Sequence, residues 1–212
     1  VASVSHVIVR DVTENGVKKS YLYASLNWDW YEFGIVDVTS PSAPKLISRS
    51  SVNDEQVLDM YVSEDGKTTF FGTTSSWGKS GFFIIDTTTK TKPVKLASVD
   101  TLGLSIYGIT VVEEGKIAII VGTGGQEYQV YSITNLSAPI KCGGMDINTG
   151  IYDIGSIIDS QKNSFSYIVT GDSANEFKII RGGPGGGDEE TGNGFLESGT
   201  YTSQIVDTGS AI

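Results

Sequence analysis

Residues 34–44 read "GIVDVTSPSAP", and residues 83–93 read "FIIDTTTKTKP". Each is an apolar strand end, then Asp, then a short Ser/Thr-rich turn closed by Pro. Asp37 and Asp86 are 49 residues apart, and so are Pro44 and Pro93. A third copy, "YQVYSITNLSAP" (128–139), puts Ser132 in the Asp slot 46 residues after Asp86. A fourth, "EFKIIRGGP" (176–184), puts Arg181 there 49 residues after Ser132. A period in the upper forties is the first fact about this chain, because internal repetition decides the architecture before any single residue does.

The text upstream of these phrases repeats as well. "YLYASLN", "TFFGTTSSW", "AIIVGTGG" and "SYIVTGDS" each precede one, and Gly72, Gly122 and Gly171 are spaced 50 and 49 residues apart. One step earlier come "VLDMYVSEDGK", "YGITVVEEGK" and "YDIGSIIDSQK", in which Asp59, Gly108 and Asp153 align, as do the turn residues Gly66 and Gly115. Each unit therefore holds four short apolar or alternating segments separated by turn signals, the pattern of an antiparallel meander. One such sheet cannot bury both faces alone, whereas several stacked around an axis can. The expected fold is an all-β propeller of about four four-stranded antiparallel blades. The blades fall at about 1–53, 54–102, 103–149 and 150–207, with a Gly-rich loop at 181–194 and residues 208–212 left over as a truncated end. The arc is read as a complete small propeller, as part of a larger ring, or as one of two chains closing an eight-bladed ring.

The phrases "GIVDVTSPSAP", "FIIDTTTKTKP" and "VYSITNLSAP" resemble the LVIVD repeat, over nearly all of residues 1–184. That resemblance implies a β-propeller on a bacterial or archaeal surface or secreted protein, and no reaction. The fourth copy departs from it, with Arg181 in place of Asp and Gly in place of the Ser/Pro turn. The tail, "SYIVTGDSANEFKIIRGGPGGG" followed by "FLESGTYTSQIVDTGS", resembles C-terminal segments of surface or prepilin-like, pilus-associated proteins from uncultured bacteria.

Composition narrows the function classes. The 212 residues carry a formal charge of −10, which disfavours nucleic acid and anionic membrane surfaces as partners. No run is long and apolar enough to span a bilayer, so no direct membrane insertion is expected of this segment. Val1 is not an initiator Met, so the chain reads as processed or cut from something longer. The lone cysteine, Cys142, lies on a predicted strand and reads as a buried, inert thiol. His6 is the only histidine, so neither a Ser-His-Asp triad nor a multi-histidine metal site can be built without it, and its place near the chain start suggests a structural role.

The turn Asp of each copy, Asp37 and Asp86, is expected to accept local backbone N–H bonds. Ligand chemistry is expected on the rim where loops between strands two and three meet the blade links. There lie "NWDWYE" (27–32) and "SSWGKS" (75–80), which hold all three tryptophans. Trp28, Trp30, Tyr31 and Trp77, with Tyr128 on the third blade, are the candidate ligand-binding residues, because exposed rings stack on sugars or dock a partner. Asp59 and Asp153, on innermost strands, are the candidate Ca²⁺ ligands at an acidic mouth, with Asp29, Asp54 and Glu55 nearby.

The function expected is a non-enzymatic adhesion or interaction module, extracellular or at a cell surface, with a glycan or protein partner and self-association as a further property. The first alternative is a carbohydrate-active enzyme, a lyase or hydrolase, on the same fold. The second is a structural subunit of an extracellular filament or surface layer.

Overall fold

A computed structural model describes residues 3–27, 31–74, 78–160 and 163–182. They form fifteen strands and one 3₁₀ turn, Glu113–Gly115. Blade 1 is β1 (Ser3–Glu14), β2 (Val17–Asn27), β3 (Phe33–Asp37) and β4 (Lys45–Ser50). Blade 2 is β5 (Val57–Val62), β6 (Thr68–Thr73), β7 (Ser80–Asp86) and β8 (Val94–Asp100). Blade 3 is β9 (Ser105–Val112), β10 (Ile117–Thr123), β11 (Tyr128–Ser132) and β12 (Ile140–Met145). Blade 4 shows β13 (Ile151–Ile158), β14 (Ser164–Thr170) and β15 (Phe177–Gly182). Each sheet is a simple antiparallel meander in chain order. The outer strand expected from "FLESGTYTSQIVD", and all of the Gly-rich loop beyond Gly182, lie outside the described residues.

The first strands β1, β5, β9 and β13 pack side by side in that order, so they are the innermost strands of a propeller arc. Among the described residues, β13 and β1 do not pack side by side as the other neighbouring first strands do. Three apolar layers lie between successive blades. The first joins blades 1 and 2 through Tyr23, Phe33, Met60 and Phe71. The second joins blades 2 and 3 through Phe70, Phe82, Ile120 and Tyr131. The third joins blades 3 and 4 through Ile119, Val121, Ile151 and Ile168. Third strands such as "FFIID" are apolar on both faces because each face meets a neighbouring blade.

The repeat phrase behaves as its chemistry dictates. Asp37 accepts the amide of Thr39 at 2.9 Å, and Asp86 accepts that of Thr88 at 2.8 Å. Each carboxylate thus closes an Asx turn that starts the reversal into the outermost strand. The Thr39 hydroxyl first, and then the Thr39 amide, hold the Asp37 carboxyl below its ordinary pKa. Ten residues after each turn-forming position, at Ile47, Leu96 and Cys142, the outermost strand carries a β-bulge. Cys142 is therefore not the buried thiol that the sequence suggested. It is half-exposed, because it lies on the outermost strand of its blade, most of whose residues are exposed or only partly buried.

At the opposite rim from the blade links, Gly66 turns with φ +68° and a Cβ on it would sit 2.6 Å from the Tyr23 hydroxyl. Its carbonyl accepts hydrogen bonds from the Tyr23 hydroxyl, the Thr87 hydroxyl and the Lys90 ammonium, all at 2.9 Å. The aligned Gly115 also turns with positive φ, +86°. The repeat of this turn glycine is thus conformational.

Candidate binding rim and axial cluster

Each innermost strand begins with a bulge at the same place. The register slips between Val4 and His6, Val57 and Asp59, Ile106 and Gly108, and Ile151 and Asp153. The equivalent triplets are therefore Val4-Ser5-His6, Val57-Leu58-Asp59, Ile106-Tyr107-Gly108 and Ile151-Tyr152-Asp153. The sequence alignment of Asp59, Gly108 and Asp153 holds, and His6 is their missing fourth member.

The glycine spacing does not hold in the same way. Gly72 pairs with Asp59 before the bulge, whereas Gly122 pairs with Ile106 beyond it, and Gly171 lies past the end of β14. Relative to the bulge the three glycines occupy three successive positions, although Gly72 and Gly122 both face close backbone or side-chain approach.

Around the axis, His6 Nε2 lies 3.5 Å from Asp59 Oδ1. The second Asp59 oxygen accepts the amide of Ile109 at 2.7 Å, which ties blade 2 to blade 3. Burial pushes the Asp59 carboxyl up to about 6, and Asp153 pushes the same way. The amides of Met60 and Ile109, with His6, pull it down. Asp153 is exposed and accepts the amide of its own neighbour, Ile154, at 2.8 Å. Asp59 is thus a bridge between blades. Among the described residues, no group of three His, Cys, Asp or Glu side chains converges to hold a metal.

The rim loops are held by a device that the sequence reading did not single out. Glu32 and Glu127 each stand five residues before the strand-ending position of their blade. Both are buried. Glu32 Oε2 accepts the amide of Val52 at 2.5 Å, and Glu127 Oε2 accepts that of Ile147 at 3.0 Å. Each spans 20 residues and latches the loop between strands two and three to the blade link beside it. Burial, with Asp146 alongside, raises the Glu127 pKa. The backbone repeats the closure. Leu26, Gly122 and Thr170 donate their amides to the carbonyls of Glu32, Glu127 and Glu176. The signal was present in the text, as "YEFGIVD" beside "QEYQVYS".

The aromatic positions are redistributed. Trp28, Trp30 and Trp77 lie outside the described residues. Tyr31 is exposed on the rim, as expected. Tyr128 is not: it is 7% exposed, and its hydroxyl sits 2.9 Å from the Ser166 hydroxyl in the layer between blades 3 and 4. Its position one residue into β11 points the ring at the next blade, and burial raises its pKa to about 12. Tyr107 and Tyr152, the bulge residues of β9 and β13, are exposed instead. Their rings meet edge to face with centroids 5.6 Å apart. Of the acidic rim residues, Glu55 pairs with Lys79 at 2.5 Å, and Asp54 turns with φ 60°.

No family model and no curated protein matches the chain. Solved structures do. A putative 6-phosphogluconolactonase from Bacteroides uniformis is similar at TM-score 0.59 and 14% identity, over 88% of this chain and 52% of that one. The Cps50 (Swd1) β-propeller domain of Myceliophteria thermophila is similar at TM-score 0.55 and 16% identity, over 75% and 52%. The periplasmic gluconolactonase PpgL of Pseudomonas aeruginosa is similar at TM-score 0.51 and 13% identity, over 81% and 56%. The likeness shows the fold, a β-propeller, and the chain spans about half the length of these structures. The LVIVD resemblance has no matching family model beside it.

Proposed function

We propose that this propeller is a non-enzymatic binding module that presents its blade-link rim to a glycan at a cell surface or in the extracellular space. The observation that carries this reading is the exposed Tyr107–Tyr152 pair at the axial mouth, on the same rim as exposed Tyr31. Rings at an open mouth stack on the apolar faces of sugars, and the latched loops cost little entropy to order on binding. The rim carboxylates Glu32 and Glu127 and the axial Asp59 are occupied by backbone amides of Val52, Ile147 and Ile109. That use favours scaffolding over acid–base work, which needs two carboxyl groups flanking a scissile bond. Two similar structures carry lactonase names, and at 13–14% identity those names bring the fold alone.

The test is a glycan array followed by titration of the best hit. Tyr107→Ala and Tyr152→Ala are each expected to weaken binding by about tenfold, at roughly 1 kcal/mol or more per stacked ring. Trp28→Ala and Trp77→Ala report whether the loop tryptophans share the site. An array without hits, together with capture of a protein partner sensitive to the same variants, would replace the glycan with a protein surface.

A further inference from the structure

The arc ends in two sheet faces built to the pattern of its interior junctions. In blade 2, Phe70, Phe82 and Ile84 lie on the face buried against blade 3, and Phe70 and Phe82 stack with centroids 6.2 Å apart. The register makes Tyr167, Phe177 and Ile179 their equivalents in blade 4. Tyr167 and Phe177 stack at the same 6.2 Å. No described blade covers them: Phe177 is 55% exposed where Phe82 is 0%.

The other end mirrors this. Blade 3 meets blade 2 through Ile109, Ala118, Ile120 and Tyr131. The equivalent positions in blade 1 are Val7, Leu22, Ala24 and Val36. Val9, Leu22, Val36 and Leu46 form one apolar row across all four strands. Val7 is 58% exposed where Ile109 is 7%. The bridging carboxylate repeats as well. Asp59 reaches across a junction to the amide of Ile109. Asp153 is the equivalent of Asp59, and Val7 is the equivalent of Ile109.

We propose that a second copy of this chain docks blade 4 to blade 1 at both ends of the arc, closing a twofold ring of eight blades. Tyr167, Phe177 and Ile179 of one copy cover Val7, Leu22 and Val36 of the other. Asp153 then leaves the amide of Ile154 for that of Val7 across the junction. The two ends select a second copy as the occupant, because the blade 4 face repeats the covered face of blade 2 and the blade 1 face repeats the covered face of blade 3. The chain spans 52–56% of three similar solved propellers, so an equal arc completes the circle. Self-complementary junctions repeated by a twofold axis close without leaving a free end.

Native mass spectrometry and sedimentation equilibrium of the 212-residue chain are expected to give twice 22.6 kDa. Val7→Lys and Phe177→Lys, at sites exposed in the single arc, are each expected to give a monomer with unchanged far-UV circular dichroism. Ile140→Lys, on an outer strand, is expected to stay dimeric. Asp153→Ala is expected to raise the dimer dissociation constant about a hundredfold, as loss of two bridging hydrogen bonds to a charged group, one at each junction, would. A monomer at every soluble concentration would overturn the proposal and leave the faces to further blades or to residues 183–212. So would open polymers, or a dimer that survives both lysine variants.

Discussion

Asp59 shows what a single side chain contributes to a ring of blades. Its pKa is raised from 3.8 to about 6, with burial the largest cause, so the folded protein holds this proton more tightly than the unfolded chain does. The stabilisation that comes with protonation is complete below about pH 4 and is lost as pH rises through about 6. At neutral pH the charged form therefore costs stability, at most about 3 kcal/mol for a shift of two units. Asp59→Asn keeps an acceptor for the Ile109 amide and removes the charge facing His6 and Asp153. The unfolding free energy of Asp59→Asn minus wild type is expected to rise by about 1–3 kcal/mol between pH 4.5 and pH 7.5. A difference that stays flat across this range would show that Asp59 titrates normally. Gly122 is decided at the same scale. A Cβ there would run into the carbonyl of Ser105, which is backbone and cannot swing away. Gly122→Val is expected to destabilise by roughly 1–3 kcal/mol through overpacking, read as a lower urea midpoint. An unchanged midpoint would contradict it.

Latches and bulges, as elements, separate what the sequence made legible from what it hid. Glu32→Ala strands the buried amide of Val52, so it is expected to cost about 1–3 kcal/mol, and Glu32→Gln less because an acceptor remains. Limited proteolysis of the 27–32 loop should accelerate in the alanine variant; equal cleavage in both variants would deny the latch. The turn in "IVDVTSP" was legible because an Asx turn is local, needing only Asp37 and the amide two residues on. Strand order was legible because the repeat fixes it. Tyr128 was misplaced because a ring one residue inside a strand points to the opposite face from a ring in the loop before it. The bulge on the innermost strands shifts that parity again, and the exposed rings are its occupants Tyr107 and Tyr152. A bulge leaves no residue-type signature when its occupants are Ser5, Leu58, Tyr107 and Tyr152, so pattern alone could not find it. The glutamate latches could have been found from their shared offset to the repeat phrase. Their role could not, because the partner amide lies 20 residues away.

Across the whole molecule, stability is a sum over neighbouring blades rather than over one core. Among the described residues, twelve buried side chains join blades 1 and 2, eleven join blades 2 and 3, and seven join blades 3 and 4. The first two layers are also braced by rings, with Phe33 and Phe71 edge to face at 4.9 Å and Phe82 near Tyr131 at 5.8 Å. The third relies on Ile and Val around Tyr128. In the single arc, blade 4 should therefore open before blades 1–3 do, as a cooperative unit with its own free energy. Native-state hydrogen exchange of the Val7→Lys variant is the measurement. Amides of β13 and β14 are expected to exchange at lower urea than those of β5, β6 and β10. Ile168→Ala should hasten exchange in blade 4 alone. Phe71→Ala, which empties the centre of the first layer, should lower protection throughout blades 1 and 2 by about 3–5 kcal/mol. In the wild-type dimer the same β13 and β14 amides should gain protection, because a second copy now covers Phe177 and Tyr167. Uniform exchange in every strand of the single arc would mean that the four blades unfold as one body and that the unequal layers do not set the order.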